Sequence, residues 1–231
     1  MTWRSITSIV LLVTLIASAQ AEDDSTTITG VVSVVDGDTL DLGPIRIRLN
    51  GIDAPEPDQV CAADGGGTWR CGEAATARLE ELADGQPGRC EAFGVDGYGR
   101  IIGRCEIDGI DVNEAMMREG LAWAFRRYSQ IYVDIEEEAS SAGLGVWQAP
   151  TQSPWEWRDD AWNRACTTLG QSGPSCCPIK GNISQRTDER IYHTPWSPSW
   201  KRTVIDEAAG ERWFCDEAQA VAAGWRAPRG R

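Results

Sequence analysis

The period of hydrophobic and polar positions changes several times along the chain, and each change marks an element. Thr27–Val35 (TITGVVSVV) is rich in β-branched residues and reads as a strand. It stops at Asp36-Gly37-Asp38, a turn signature, and resumes as Thr39-Leu40-Asp41-Leu42. Ile45–Leu49 (IRIRL) alternates strictly, which predicts a strand with Arg46 and Arg48 on one face. Gly72–Ala83 has helical spacing through Ala75, Leu79 and Leu82. Arg89–Phe93 and Ile101–Ile107 read as a hairpin centred on Gly97-Tyr98. Val112–Trp123 predicts a second helix, and Asp134–Ala142 a third that ends at Gly143. The order of strands, helix, hairpin, helix and helix is consistent with a small closed Greek-key barrel carrying helices, although periodicity does not single out the barrel.

The two ends follow other rules. Met1–Ala21 has a positive residue at Arg4, an apolar run at Ile9–Ile16 and a small-x-small site at Ala19-Gln20-Ala21. This is the pattern of a secretory signal peptide, and the apolar run is too short to span about 30 Å of hydrocarbon. No later segment is long and apolar enough to span a membrane, so the expected product is exported, periplasmic or extracellular. Pro150 and Pro154 end the regular pattern, and a boundary is placed there. The resulting organisation is a signal peptide at 1–21, a first domain at 22–150, a linker at 151–177 and a small Trp- and Cys-containing module at 178–231.

Charge divides at the same boundary. Glu22–Pro150 holds 10 Arg and 25 Asp or Glu, whereas Thr151–Arg231 holds 11 Lys or Arg and 10 Asp or Glu. The whole chain of 231 residues has a formal net charge of −13, which argues against a general nucleic-acid coat or an anionic-membrane binder. A single histidine, His193, excludes any one-chain mechanism that needs two. Phosphodiester chemistry would therefore run on carboxylates, arginines and a hard metal. Eight cysteines suit an oxidising compartment, and the absence of a CxxC pair makes zinc a poor reading. Cys90 and Cys105 are symmetric about the hairpin centre and could face each other, while Cys61 and Cys71 close a Gly-rich loop. Cys166–Cys176 and Cys177–Cys215 are assigned to the remainder without a geometric argument.

Four short elements carry candidate chemistry: DGDT at Asp36–Thr39, RLNGIDAPE at Arg48–Glu56, DGYGR at Asp96–Arg100, and DVNEAMMREGLA at Asp111–Ala122. Asp38 and Asp53, on turns beside strands, suit a hard cation that takes oxygen ligands. Glu56, three residues past Asp53, is free to act on water. Arg48 and Arg100 suit phosphate oxygens and stay charged at any working pH. The order and spacing of these elements over about Ile28–Trp147 resemble the staphylococcal nuclease-like (thermonuclease-like) family.

That resemblance implies an α+β fold: an OB-type five-stranded β-barrel with three helices, followed here by a small disulfide-containing α+β C-terminal module. It implies a Ca²⁺-dependent nuclease acting on DNA and/or RNA. Asp38, Asp53 and the carbonyl of Ala54 would be metal ligands, where the family often has threonine in place of Ala54. Glu56 would be the general base, and Arg48 and Arg100 the catalytic arginines. Tyr98 would contact the phosphate and Tyr128 the nucleotide base. Arg126 stands where the family has a second tyrosine, and Gly97 where it has a lysine. With bound Ca²⁺, the arginines 48, 100, 126 and 127 would make the cleft locally positive. The alternative is a catalytically silent nuclease-like module that binds nucleic acid or envelope.

Seven of the 11 tryptophans lie beyond residue 150. The stretch with IKGNI, IYH, ERWFC and EAQAVAAGWR resembles a module found after exported nuclease-like domains. Trp196, Trp200, Trp213 and Trp225 could stack on sugars or bases, or could simply fill a small core. Envelope contact through this module is a further expectation, as is a monomeric state. His193 is expected to be structural.

Overall fold

A computed structural model describes residues 26–171 and 176–229. The proposed signal peptide, Met1–Ala21, lies outside the described residues. Strands β1 (Thr26–Asp36), β2 (Thr39–Leu42) and β3 (Ile45–Leu49) form an antiparallel meander. After helix α1 (Cys71–Ala83), β4 (Pro87–Val95) and β5 (Ile101–Ile107) form the expected hairpin. Strand β1 is long enough to serve two neighbours. Its first half pairs with β4 from Thr26↔Ala92 to Val31↔Pro87, and its second half with β2 from Val32↔Leu42 onward. A parallel contact, Ile47↔Ile101 to Leu49↔Gly103, joins β3 to β5 and closes the five strands into an OB-type barrel.

The alternation of the strands becomes the barrel interior. Val32, Val34, Leu40, Leu42, Ile47, Leu49 and Ile107 are buried together in one core. Helix α1 contributes Ala75, Leu79 and Ala83, residues four apart that lie on one face. Helix α3 (Val133–Ser141) is close to the predicted range. Helix α2 (Val112–Arg118) stops before the predicted Trp123. Gly120 adopts φ +66°, and a Cβ there would lie 2.3 Å from the carbonyl oxygen of Leu144, so the chain turns away at a position open only to glycine. It then runs extended, with Trp123 and Ala124 paired to Asp53 and Ile52.

Asn113, the Asn of DVNEA, is buried and fully bonded. Its Oδ1 accepts from the Cys105 N–H at 3.1 Å, and its Nδ2 donates to the carbonyls of Asn50 at 3.0 Å and Gly103 at 3.2 Å. One side chain thus ties α2 to β5 and to the loop leaving β3. The four disulfides are Cys61–Cys71 and Cys90–Cys105, the pairs suggested by loop and hairpin geometry, and Cys166–Cys176 and Cys177–Cys215, for which the sequence offers no geometric argument.

The stretch read as a linker contains helix α4 (Pro154–Thr168). Pro154 does not end regular structure; it is the first helical residue, where its missing N–H and fixed φ suit a helix start. Ser153 and Glu156 complete a reciprocal capping box. Beyond α4, strands β6 (Ile179–Ile183), β7 (Arg190–His193) and β8 (Arg212–Phe214) form a sheet with β6 in the centre, and helix α5 (Glu217–Ala222) follows. Ile179, Tyr192, Phe214, Ala220 and Trp225 make its core, with Trp162 of α4 packed against it. Trp200 is also buried, its Nε1 donating to the Pro178 carbonyl at 2.6 Å. Trp200 and Trp225 therefore serve packing rather than stacking on a ligand. Lys180 is held by the carbonyls of Trp200 and Thr203 at 2.9 and 2.7 Å, with its ammonium 4.0 Å from the Trp200 ring centre.

Two stability outcomes follow. Asn113→Ala removes the side-chain partner of the Cys105 N–H and the Asn50 carbonyl, while the Gly103 carbonyl keeps the Asn50 N–H at 2.7 Å, and a loss of about 1–3 kcal/mol is expected from chemical denaturation of the disulfide-intact protein. His193 is buried beside Asn182, with 2.9 Å between its Nε2 and Oδ1. Burial, with Lys180 and Arg202 nearby, pushes it from its ordinary 6.5 down to about 4. The folded state thus holds His193 neutral while the unfolded chain takes up a proton below about 6.5. The His193 contribution to stability should fall as pH drops from about 6.5 to about 4, by on the order of 2 kcal/mol. Urea titrations at both ends of that window should show the wild type losing about that much stability relative to His193→Gln.

Candidate active site

The turn between β1 and β2 places Asp38 at one end of the barrel. Its glycine neighbour is required by contact: a Cβ on Gly37 would lie 2.8 Å from Ala54 Cβ and 2.9 Å from Ala75 Cβ. Asp38 Oδ1 accepts from the Thr39 hydroxyl at 3.0 Å, and Oδ2 from the Ala54 N–H at 2.8 Å. Thr39 is the register partner of Arg48, so the ladder sets the Arg48 guanidinium against Asp38. Arg48 Nη1 bonds Asp38 Oδ1, and Nη2 bonds Asp53 Oδ1 at 2.6 Å. Asp53 is 0% exposed and is fixed by its pairing with Trp123.

Glu56 sits on the next turn. Its N–H donates to Gln59 Oε1 at 3.1 Å, and its carbonyl accepts from the Gln59 N–H at 2.7 Å. Gly72, at the start of α1, passes so close that a Cβ would lie 1.7 Å from the Glu56 carbonyl oxygen. The Glu56 side chain is 14% exposed at the cleft floor.

A residue that sequence reasoning missed completes the cluster. Arg158, from α4, sends Nη2 to Asp53 Oδ2 at 2.7 Å and Nη1 to Glu56 Oε1 at 2.7 Å, with Nη1 also 3.1 Å from Asp53 Oδ1. It lies 105 residues from Asp53 in the chain. Nothing in WEWRDDAW separates this arginine from a solvated one, because its role depends on how α4 docks. Trp155 stacks on Phe125 at 6.4 Å between ring centres, and the Gln152 carbonyl accepts from Gln59 Nε2 at 2.9 Å.

Arg100 and Tyr98 line the same cleft from the β4–β5 hairpin. Asp96 organises that tip: its Oδ1 accepts from the N–H groups of Tyr98 and Arg100, each at 2.9 Å, and its Oδ2 from Arg100 Nε at 2.7 Å. The Arg100 guanidinium stands 5.3 Å from the Tyr98 ring centre. Tyr128 is 66% exposed beside Phe125, at the cleft edge. Arg126 does not supply cleft charge as expected; its guanidinium is bonded to Glu136, with Nε at 3.1 Å. The opposite cleft wall comes from the C-terminal module through Tyr192, Trp196, Glu217 and Trp225.

Poor solvation sets the ionisation of this site. Burial raises Asp38 to about 7, against the pull of Arg48 and with the push of Asp36 and Asp53. Burial also pushes Asp53 up, but Arg48 and Arg158 outweigh it and hold the carboxyl below its ordinary value. Burial carries Glu56 up to about 8, with Arg158 pulling the other way. Burial opposes the charge of Arg48 and Arg158, yet the carboxylates around them hold both above the ordinary guanidinium range.

A family model described as "Staphylococcal nuclease homologue" matches residues 46–149. The chain is 39% identical over 125 residues to a protein named succinoglycan biosynthesis protein ExoI of Rhizobium meliloti (strain 1021), covering 53% of this chain and 65% of that protein. It is 35% identical over 147 residues to a protein named micrococcal nuclease of Shigella flexneri, covering 55% of this chain and 78% of the relative. A protein from Escherichia coli named uncharacterized endonuclease is 35% identical over 136 residues, with 55% and 82% covered. The chain belongs to the staphylococcal nuclease homologue family. The stretch matched to the staphylococcal nuclease homologue model begins at Arg46, after Asp38, and ends before Arg158, so the site is built partly from outside it.

Among the described residues, no three His, Cys, Asp or Glu side chains form a metal-ligating cluster. The donors present are nonetheless oxygen donors of the kind Ca²⁺ takes: the carboxylates of Asp38 and Asp53, beside the backbone of Ala54. Their charge is balanced by arginines. The donor chemistry therefore fits a hard cation, provided that cation is exchanged for Arg158.

The contact at Gly72 gives a structural test. Gly72→Ala must displace the Glu56 turn, and a loss of about 1–3 kcal/mol is expected from urea denaturation. Gly97→Ala, where a Cβ meets nothing within 4 Å, should stay within about 0.5 kcal/mol of the wild type.

Proposed function

We propose that this protein is an exported Ca²⁺-dependent nuclease that hydrolyses phosphodiester bonds of DNA and/or RNA. The observation that carries the reading is the gathering of Asp38, Asp53, Glu56 and Arg48 at one end of the barrel, with Arg100 and Tyr98 on the same cleft. The names of the micrococcal nuclease and endonuclease relatives support it. Export is supported by the Met1–Ala21 pattern and the four disulfides. No helix among the described residues is long and apolar enough to cross a membrane.

Glu56 is the general base. In its ionised form it takes a proton from water as the water oxygen bonds to phosphorus, and the bond to the 5′ oxygen breaks. Arg48 and Arg100 set positive charge against the negative charge that builds on the phosphoryl oxygens. Tyr98 borders the phosphate, and Tyr128 offers an exposed ring to a base. Asp38, Asp53 and the Ala54 carbonyl would hold Ca²⁺, which supplies Lewis acidity at a phosphoryl oxygen.

The seating of Arg158 on Glu56 and Asp53 favours a second reading, a silent module that binds nucleic acid or envelope. One experiment separates them. Mature protein from Glu22 onward is incubated with single-stranded and duplex DNA and RNA, in millimolar Ca²⁺ or in EGTA. Cleavage in Ca²⁺ alone, reduced about 100-fold or more in Glu56→Gln and in Arg100→Ala, is the expected result. No cleavage by folded, disulfide-intact wild type leaves the silent module.

A further inference from the structure

Three acidic side chains, Asp38, Asp53 and Glu56, share one poorly solvated end of the barrel, and Arg48 bonds only the first two. Carboxylates this close to one another and to low-dielectric surroundings stay ionised only against cations. Arg158 supplies the second cation, and its geometry is specific. It is bonded to both oxygens of Asp53 and to Oε1 of Glu56, while Arg48 shares Asp53 Oδ1. With Arg158 in place, Asp53 Oδ2 and Glu56 Oε1 are both engaged.

The helix that carries Arg158 is anchored on both sides. Trp155, one turn earlier, stacks on Phe125 of the barrel, and Trp162, one turn later, packs against the core of the C-terminal module. Helix α4 thus joins the two units, and Arg158 projects from its second turn into the site.

We propose that Arg158 is a positioning residue that acts as a resident counter-cation. It neutralises Asp53 and Glu56 when no divalent ion is present, and it must leave them when one binds. The inference rests on the reading of Asp38 and Asp53 as cation ligands. It adds that a residue from outside the barrel competes for the same oxygens and so sets how tightly the cation is held. Withdrawal of Arg158 frees Glu56 Oε1 for water and loosens the second turn of α4 against the barrel.

Calorimetric titration of the mature full-length protein with CaCl₂ tests this without an activity readout. Arg158→Gln keeps hydrogen-bonding capacity but removes the competing charge. Its Ca²⁺ dissociation constant is expected to fall about tenfold or more below that of the wild type, as removal of a charged hydrogen-bond competitor implies. Arg158→Lys, which restores the charge, should lie nearer the wild type. An unchanged or weaker Ca²⁺ affinity in Arg158→Gln overturns the proposal. A measurement on unmodified protein guards against a folding defect in the variants. Backbone hydrogen exchange in α4 should speed up when millimolar Ca²⁺ is added, and exchange that is unchanged or slower overturns the proposal as well. Nuclease assays on the same wild-type preparation separate the two levels. Ca²⁺-dependent cleavage with no change of affinity in Arg158→Gln removes the counter-cation and leaves the nuclease reading intact. Absence of Ca²⁺ binding by both wild type and Arg158→Gln removes both.

Discussion

Carboxylates withdrawn from water need opposing charge close by, and the site end of this protein is arranged around that requirement. Arg48 reaches Asp38 and Asp53 from the neighbouring strand, and Arg158 reaches Asp53 and Glu56 from a helix far along the chain. Such a cluster is weak evidence for stability, because desolvation of the ions consumes much of their attraction. It keeps acidic oxygens in place at the floor of the cleft, where the proposed function needs them.

The surrounding fold holds these oxygens still. The DGDT turn is packed too tightly for any residue but glycine at its second position, and the Glu56 turn presses against Gly72. Asn113 knits the loop after β3 to β5 and α2, and Trp123 pairs with Asp53. Several short contacts from different elements therefore converge on two turns. This distributes the job of positioning over residues that never touch the cleft.

Local rules made much of this legible in the sequence. The alternation in IRIRL places Arg48 beside Asp38, and the symmetry of Cys90 and Cys105 about the hairpin centre matches their pairing across the ladder. The motifs that mark the site are short, and their residues meet through adjacent strands and turns. Three features escaped for physical reasons. The end of α2 depends on a close approach between Gly120 and the Leu144 carbonyl, which no helical periodicity encodes. Arg158 depends on the docking of α4, a tertiary event set by the Trp155–Phe125 stack and a backbone bond to Gln59. Of the two prolines that suggested a boundary, Pro154 instead starts a helix, since Pro at the first helical position and Pro in a loop look alike without the Ser153–Glu156 capping box being recognised.

The parallel seam between β3 and β5 has a consequence for how the chain folds. The meander and the hairpin can each assemble from neighbouring residues, but the seam must bring Ile47 to Ile101 across the intervening α1 and β4. Closing such a loop costs chain entropy before any contact rewards it, so sealing of the barrel belongs to the late, slow part of folding. Arg48 is a register partner in that seam, opposite Ile102, and Arg100 lies one residue before it. The β1–β4 pairing joins meander to hairpin, and the seam then fixes the spacing of the two arginines, so both long-range pairings stand behind one site.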